Sequence, residues 1–318
     1  MAARTGSGHG RGVALCLTAA VGFGLMAILA KEAYAAGAGV ATLLTLRFAL
    51  AASIFWTIVA IRKPARPERR TVIAGLGLGA AGYAAQAGLF FAALTRIDAS
   101  LTSLLLYTYP ALVLLAAIAI GREHADRRRL AALALASGGA ALVLLGGGTG
   151  SLDGLGVILA LGAAVAYSAY ILVADRVVPQ IDVFLLGALV MTGAFLSVGA
   201  FTIVTDSLHV GFGASGWLAL VALSLVSTVM PVAAFMFGLP LVGPGTASIV
   251  STIEPVVTVT LAMAIFGERL GPVQAVGGAL VLTAVILLQA MGKVRATDAA
   301  STEIAAPAPA RPLPQHAS

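Results

Sequence analysis

Residues 12–32 read GVALCLTAAVGFGLMAILAKE, and residues 156–176 read GVILALGAAVAYSAYILVADR. The two stretches are identical at eight positions with a constant offset of 144 residues. A second pair of segments, 109–123 and 254–268, matches at an offset of 145, and each has a proline at its second position and a glutamate at its end. Chance identities are common among alanines, so the aligned proline and glutamate are the stronger signal. Two matches at nearly one offset indicate an internal duplication.

The composition places this duplicated chain in a membrane. Of its 318 residues, 60% are apolar and only 10% are charged, and the mean hydropathy is +1.02. Soluble domains are about 45–50% apolar and about 25% charged, so an ordinary core could not bury these side chains. Ten apolar windows are long enough to cross a bilayer as helices. They are 13–30, 40–61, 71–94, 99–120, 130–147, 155–174, 183–205, 214–239, 243–266 and 271–291.

The duplication divides the ten predicted helices into two sets of five. We expect a first repeat over 12–147, a linker over 148–154 and a second repeat over 155–292. Since five crossings are an odd number, the second repeat enters from the opposite side of the membrane, and the repeats are inverted. The sequence thus predicts an all-α integral membrane protein. Residues 1–11 form a cytoplasmic N-terminus, and the segment 293–318, rich in Ala, Pro, Ser and Thr, is predicted to be a disordered cytoplasmic tail.

The distribution of basic residues predicts the orientation. With the N-terminus in the cytoplasm, fifteen Lys and Arg residues fall on the cytoplasmic side, and only Lys31, Arg96 and Arg269 fall on the other. This asymmetry places both termini in the cytoplasm. It also explains the net charge of +6 and the pI of about 9.9 as a topology signal and a contact with anionic lipid headgroups, so a nucleic-acid partner is not expected.

Several function classes lack the residues they require. The single cysteine, Cys16, cannot form an intramolecular disulfide, and all four histidines lie outside the spans, so no metal site is expected. The pattern Gly77-x-Gly79-x-x-Gly82 has no preceding strand and is better explained by close helix packing than by a dinucleotide cofactor. An intramembrane enzyme would need paired acids or a deep histidine, so no catalytic residue is expected. A scaffold subunit is a further alternative, with repeats packed shut against each other.

Glu254 is the acid that lies deepest in a predicted span. Ser251 and Thr258 fall on the same helix face, three residues before it and four after it. A carboxylate at membrane depth is costly unless it is paired, protonated or facing water, which suits substrate binding with proton or cation coupling. The alternative is a neutral Glu254 that hydrogen-bonds a neighbouring helix and supports a break before Pro255. Intramembrane acids are functional by default, which favours the first hypothesis.

Arg47 is the basic residue within a predicted span. It is a candidate to bind a substrate carboxylate in a bidentate manner or to neutralise Glu254. The simpler hypothesis, which we favour on sequence alone, is that its long stem carries the guanidinium up to the outer headgroups.

A set of aromatic and polar side chains at membrane depth completes the predicted binding site. Singly, each is better explained by helix packing, but together they suit a partly apolar organic solute. The set comprises Tyr83, Gln86, Tyr107, Tyr167, Tyr170, Ser227 and Thr228, with Ser251 beside Glu254. Pro110, Pro231 and Pro255 are predicted hinges or kinks, because proline frees a backbone carbonyl at membrane depth.

Short motifs in the right order resemble the EamA family of the drug/metabolite transporter superfamily. They are Arg47-Phe48, Gly121-Arg122-Glu123, Glu254-Pro255 and Phe266-Gly267-Glu268-Arg269, within a similarity that covers about residues 12–291. The resemblance implies a ten-helix bundle of inverted repeats in the bacterial inner membrane. It also implies transport of small organic molecules such as amino acids, sugars, nucleosides or drugs, often outward. The first repeat departs from the pattern, with Tyr109 where the second has Glu254.

The resulting expectation is a secondary transporter that exports a small organic metabolite or drug-like solute by alternating access, with import as an alternative direction. Its partners are that solute, the lipid bilayer and protons as a candidate coupling ion, and it is expected to be a monomer or a homodimer. Glu123 and Glu268 are interpreted as structural groups at helix ends, paired for instance with the adjacent Arg122 and Arg269.

Overall fold

The computed structural model describes residues 7–121, 126–146, 153–177 and 181–305, and all regular structure within them is helical. Glu123, most of the predicted linker and the end of the predicted tail lie outside the described residues. The helices are α1 (Ser7–Gly24), α2 (Met26–Ala35), α3 (Val40–Arg62), α4 (Arg69–Gly77), α5 (Ala84–Leu94), α6 (Ala99–Leu106), α7 (Tyr109–Ala119), α8 (Arg127–Leu145), α9 (Gly154–Val177), α10 (Val183–Val204), α11 (Ala214–Ser224), α12 (Met230–Ser251), α13 (Ile253–Phe266) and α14 (Pro272–Ala305).

The helices have the lengths and the surface of a membrane protein. Nine helical segments of the described chain are long and apolar enough to cross a bilayer, and Pro272–Leu288 is a shorter apolar helix at the position of the tenth predicted span. Large apolar side chains face outward, such as Phe201 at 60% and Leu218 at 72% exposure, as a lipid-facing surface requires. The prediction of an all-helical membrane protein is confirmed.

Breaks interrupt several of the spans near their centres. Two spans contain a π-helical turn, Leu78–Tyr83 between α4 and α5 and Leu225–Val229 between α11 and α12. Helices α6 and α7 meet at residues 107–108, and α12 and α13 meet at residue 252. The backbone of α12 is itself non-helical at Gly243, where one candidate span ends. The three predicted hinge prolines lie in the first turns of α7, α12 and α13. A helix tolerates proline there, because the first-turn N–H groups have no partner within the helix.

Helix packing follows the duplication. Helix α3 packs along α10 and α8 packs along α14, so each pair joins equivalent spans of the two repeats. Helix α1 packs along α12, and α9 packs along α5. These two contacts are equivalent, because α9 of the second repeat corresponds to α1 of the first, and α12 corresponds to α5. The repeats therefore interlock instead of forming two separate bundles.

Glycines allow α10 to approach the π-helical turn Leu78–Tyr83 closely. A Cβ atom at Gly79 would meet the backbone oxygen of Val190, and one at Gly193 would meet the backbone oxygen of Leu76. Gly79 thus has the close packing that the sequence predicted. Gly77 differs, since a Cβ atom there would meet no atom within 4 Å.

The last helix extends past the predicted start of the tail. Helix α14 runs to Ala305 and passes the expected end of the tenth span at 291. Over 293–305 the structure thus has a helix where the sequence predicts disorder. This stretch is rich in helix-forming alanine and charged residues, and the first proline after it is Pro307, so nothing in its sequence breaks the helix earlier.

Candidate functional site

Arg47 lies inside the bundle and does not reach the headgroups. Its side chain is fully buried. Its Nε donates a hydrogen bond of 2.9 Å to the Thr228 hydroxyl, and Nη2 lies 3.3 Å from the Tyr83 hydroxyl and 3.6 Å from the sulfur of Met26. The favoured prediction that Arg47 extends to the outer headgroups is therefore wrong, because side chains from both repeats hold the guanidinium in place.

The surroundings of the Arg47 guanidinium are neutral. The rings of Phe48 and Phe91 lie over it, with their centroids 5.6 and 5.1 Å from Cζ. Among the described residues Arg47 forms no ion pair, and its Nη1 has no hydrogen-bond acceptor. The hypothesis that Arg47 neutralises Glu254 through a direct pair is thus also wrong.

The two hydroxyl groups that hold Arg47 occupy equivalent positions in the two repeats. Tyr83 and Thr228 are 145 residues apart, which is the offset of the duplication. Tyr83 ends one π-helical turn and Thr228 lies in the other. Arg47 therefore lies where the two repeats meet, although it has no basic counterpart in the second repeat.

Five tyrosines form a continuous line of ring contacts, which we name the tyrosine row. In order along the line they are Tyr83, Tyr170, Tyr167, Tyr109 and Tyr107, with successive centroids 5.9, 6.1, 4.6 and 5.9 Å apart. Tyr167 and Tyr170 stack at 14°, in agreement with the predicted shared face of one helix. All five except Tyr107 remain half-buried. The row therefore begins beside Arg47 and joins residues of both repeats.

Glu254 lies at the other end of the tyrosine row, in the first turn of α13, and is half-buried. The side chains of Tyr107, Tyr109 and Tyr167 lie close to its carboxylate. The Tyr107 hydroxyl donates a 3.1 Å hydrogen bond to the backbone oxygen of Ser251, three residues before Glu254. The two intramembrane charges are thus separated by the row and do not touch.

Three predicted residues do not join the tyrosine row. The Ser251 hydroxyl donates a hydrogen bond to the Ala247 carbonyl within its own helix. Ser251 contacts the row through its backbone oxygen, which accepts from Tyr107. Ser227 is buried, and its hydroxyl has no partner in the described chain. Gln86 is half-buried on α5, and no hydrogen bond joins it to the row in the described part of the molecule.

The sequence-based set missed Tyr109 and Met26. Both could have been found from the duplication, because Tyr109 aligns with Glu254 at an offset of 145 and Met26 aligns with Tyr170 at 144. Spacing within a single helix does not reveal either residue, because it does not compare the two repeats.

A cleft of about 300 Å³ lies beside the tyrosine row but offers little chemistry. It is lined by Thr108, Ala111, Leu112, Ala136, Ser137, Ala140, Leu161 and Val165. The lining contains no charged group, so the row and its two charged ends are the stronger candidate site. In the described chain, no three His, Cys, Asp or Glu side chains lie close enough to hold a metal ion.

Glu268 lies outside the spans and joins the two repeats. Its carboxylate accepts hydrogen bonds of 2.8 and 3.0 Å from the backbone N–H groups of Ala99 and Ser100, and it pairs with Lys31 at 3.2 Å. The partner is thus Lys31 and not the predicted Arg269. Burial by itself raises the pKa of Glu268, but the hydrogen bonds from Ser100 and Ala99 and the charge of Lys31 outweigh it and lower the pKa.

Comparison with known proteins agrees with this architecture. The EamA-like transporter family matches the chain twice, over residues 10–145 and 154–289. The chain belongs to the EamA-like transporter family. It is 26% identical over 277 residues to the uncharacterized transporter YcbK of Bacillus subtilis (strain 168), with 84% of this chain and 88% of YcbK covered. A solved crystal structure, described only as that of a protein, has a TM-score of 0.62 and 20% identity, and the match covers 90% of this chain and 98% of that one.

Membership of the EamA-like transporter family settles the general class. The two family matches coincide with the two predicted repeats, and the likeness to the crystal structure extends over the whole fold. The protein is a multi-pass membrane transporter of a small molecule and not an enzyme, consistent with the bacterial inner membrane.

Proposed function

We propose that this chain is a secondary transporter that exports a small organic metabolite or drug-like solute by alternating access, with the solute bound along the tyrosine row. The observation that carries the proposal is the row itself, which runs between two intramembrane charges and is built from both repeats. Transporters made of inverted repeats bind substrate near the bilayer midplane at the repeat interface. A wall of half-buried rings with hydroxyl groups suits a partly apolar solute.

Glu254 is proposed as the residue that couples transport to protons or to another cation. It is half-buried at the end of the row and forms no ion pair among the described residues. An acid at membrane depth that has no basic partner must exchange a proton or a cation, or face water, to be tolerated. The outward direction is carried over from the family resemblance.

A flux assay in proteoliposomes tests the proposal. Purified protein is given an imposed proton gradient of either sign, and accumulation is measured for amino acids, nucleosides, sugars and cationic drugs. We expect proton-driven accumulation of at least one solute, and we expect Glu254→Gln to abolish it because a neutral amide cannot carry the proton. Glu32→Gln is the matched control, since Glu32 is exposed at the end of α2. If dissipating the gradient and Glu254→Gln both leave transport unchanged, coupling through Glu254 is abandoned.

A further inference from the structure

We infer that Arg47 is the anion-binding group of the transport site, so that the transported solute carries a carboxylate beside its apolar body. This inference rests on the proposed function and narrows its substrate class. It depends on the burial of Arg47, on the neutrality of its partners, on its unpartnered Nη1 and on its place between the repeats.

The Arg47 charge has no opposite charge beside it among the described residues. An arginine side chain remains protonated in proteins, and a charge inside a bilayer is costly unless an opposite charge offsets it. Arg47 is fully buried, and its hydrogen-bonding partners are two hydroxyl groups and a thioether. Aromatic faces and neutral dipoles offset part of this cost. A substrate anion would offset the rest, which gives the site a preference for anions.

The Arg47 guanidinium has hydrogen-bond donors to spare. A guanidinium presents five N–H donors in a fixed plane. In Arg47 the donors on Nε and Nη2 are directed at Thr228, Tyr83 and Met26, whereas those on Nη1 meet no acceptor in the described chain. The side chain is therefore held in one orientation with an unused pair of donors. A carboxylate oxygen is the acceptor that forms the strongest hydrogen bonds with such donors.

Arg47 lies where the two repeats meet. Tyr83 and Thr228 are equivalent residues of the two repeats, and alternating access moves the repeats against each other. A carboxylate bound to Arg47 stays at the point that both halves contact through the cycle. The tyrosine row begins at Tyr83, so an apolar body attached to the carboxylate can lie along its rings. Glu254 at the far end repels an anion, which orients the carboxylate toward Arg47.

Matched solutes test the inference. The melting temperature of the purified full-length protein is measured with benzoate, benzyl alcohol and benzylamine, and with phenylacetate, phenethyl alcohol and phenethylamine. A ligand that binds the folded state raises the melting temperature. We expect the carboxylates to stabilise the protein more than their neutral and cationic counterparts. Arg47→Lys keeps the charge but loses the planar fork, so carboxylate affinity should fall by roughly tenfold to a hundredfold.

Arg47→Met keeps much of the apolar stem and removes the charge, so the preference for carboxylates should disappear. Where this variant does not fold, Thr228→Val removes one of the hydroxyl groups that orient Arg47 and should weaken the carboxylates selectively. The inference is overturned if the alcohols or amines raise the melting temperature as much as the carboxylates do, or if the carboxylates do not raise it. It is also overturned if folded Arg47→Met keeps the wild-type preference for carboxylates. Transport of neutral or cationic solutes in proteoliposomes would leave the proposed function standing without the anion site, whereas absence of all flux would refute the proposed function itself.

Discussion

At the scale of single residues, the carboxylate of Glu268 joins three helices. It follows the end of α13, pairs with Lys31 on α2 and accepts both N–H groups at the start of α6. Asp98 occupies the N-cap position of α6 but makes no capping hydrogen bond with its side chain. A residue from the second repeat therefore caps a helix of the first, which favours a structural role for Glu268.

We predict that Glu268→Gln lowers the free energy of unfolding by about 1.5–3 kcal/mol at neutral pH, the range for hydrogen bonds to a charged group. The pKa of Glu268 is lowered in the folded state from its ordinary 4.5. Its contribution is therefore fully present above about pH 4.5 and is lost as the pH falls through the lowered folded-state pKa. Melting temperatures measured from neutral to acidic pH check this, with Glu32→Gln as the control. A difference in melting temperature between wild type and Glu268→Gln that does not change with pH would contradict the prediction.

At the scale of elements, the two π-helical turns place the residues that hold Arg47. A π-helical turn accommodates an extra residue in a helix and occurs often at functional sites. Here the turns place Tyr83 of the first repeat and Thr228 of the second repeat against one guanidinium, that of Arg47. The turn that ends at Tyr83 is fixed against α10 by Gly79, whose missing side chain leaves room for the backbone at Val190.

We predict that Gly79→Ala destabilises the protein by about 1–3 kcal/mol, the usual cost of overpacking, and reduces transport, because the added methyl group displaces the turn that carries Tyr83. Gly77→Ala is the matched control two residues earlier, where an added methyl group meets no neighbour and alanine favours the helix. Melting temperatures and proteoliposome flux measure both effects. Equal behaviour of the two variants would show that the approach of α10 to this turn is unimportant.

At the scale of the whole molecule, helices of the two repeats pack extensively against each other. Helices α3 and α10, like α8 and α14, pair across the repeats, and Glu268 joins the repeats at one end of the bundle. The proposed movement between inward-open and outward-open states must therefore rearrange contacts between the repeats rather than within them.

The orientation in the membrane is also a property of the whole chain. We predict that Val210→Cys, in a variant with Cys16→Ala, reacts with a membrane-impermeant maleimide in intact cells. Glu68→Cys, in the same background, should react only after permeabilisation, because it lies in a loop with many basic residues that the charge asymmetry places in the cytoplasm. Both positions are exposed. Labelling of the opposite pattern would place both termini outside.

The local sequence determined most of the fold. Bilayer thickness fixes the length of an apolar helix, so hydropathy alone located the spans. An offset that appeared twice revealed the two repeats, and the short motifs pointed to the EamA family. Over 293–305 a composition poor in apolar residues predicts disorder, whereas the structure continues α14, because no residue there breaks the preceding helix.

For the candidate site, the sequence identified the residues but not their contacts. The sequence identified Arg47 and Glu254 as the intramembrane charges and named four of the five tyrosines in the row. It could not show that Arg47 donates a hydrogen bond to Thr228, a partner 181 residues away, or that Lys31 pairs with Glu268 across 237 residues. Hydropathy and helical spacing describe one helix at a time. Which side chains meet depends on the packing of helices far apart in the chain, and only the tertiary structure decides that.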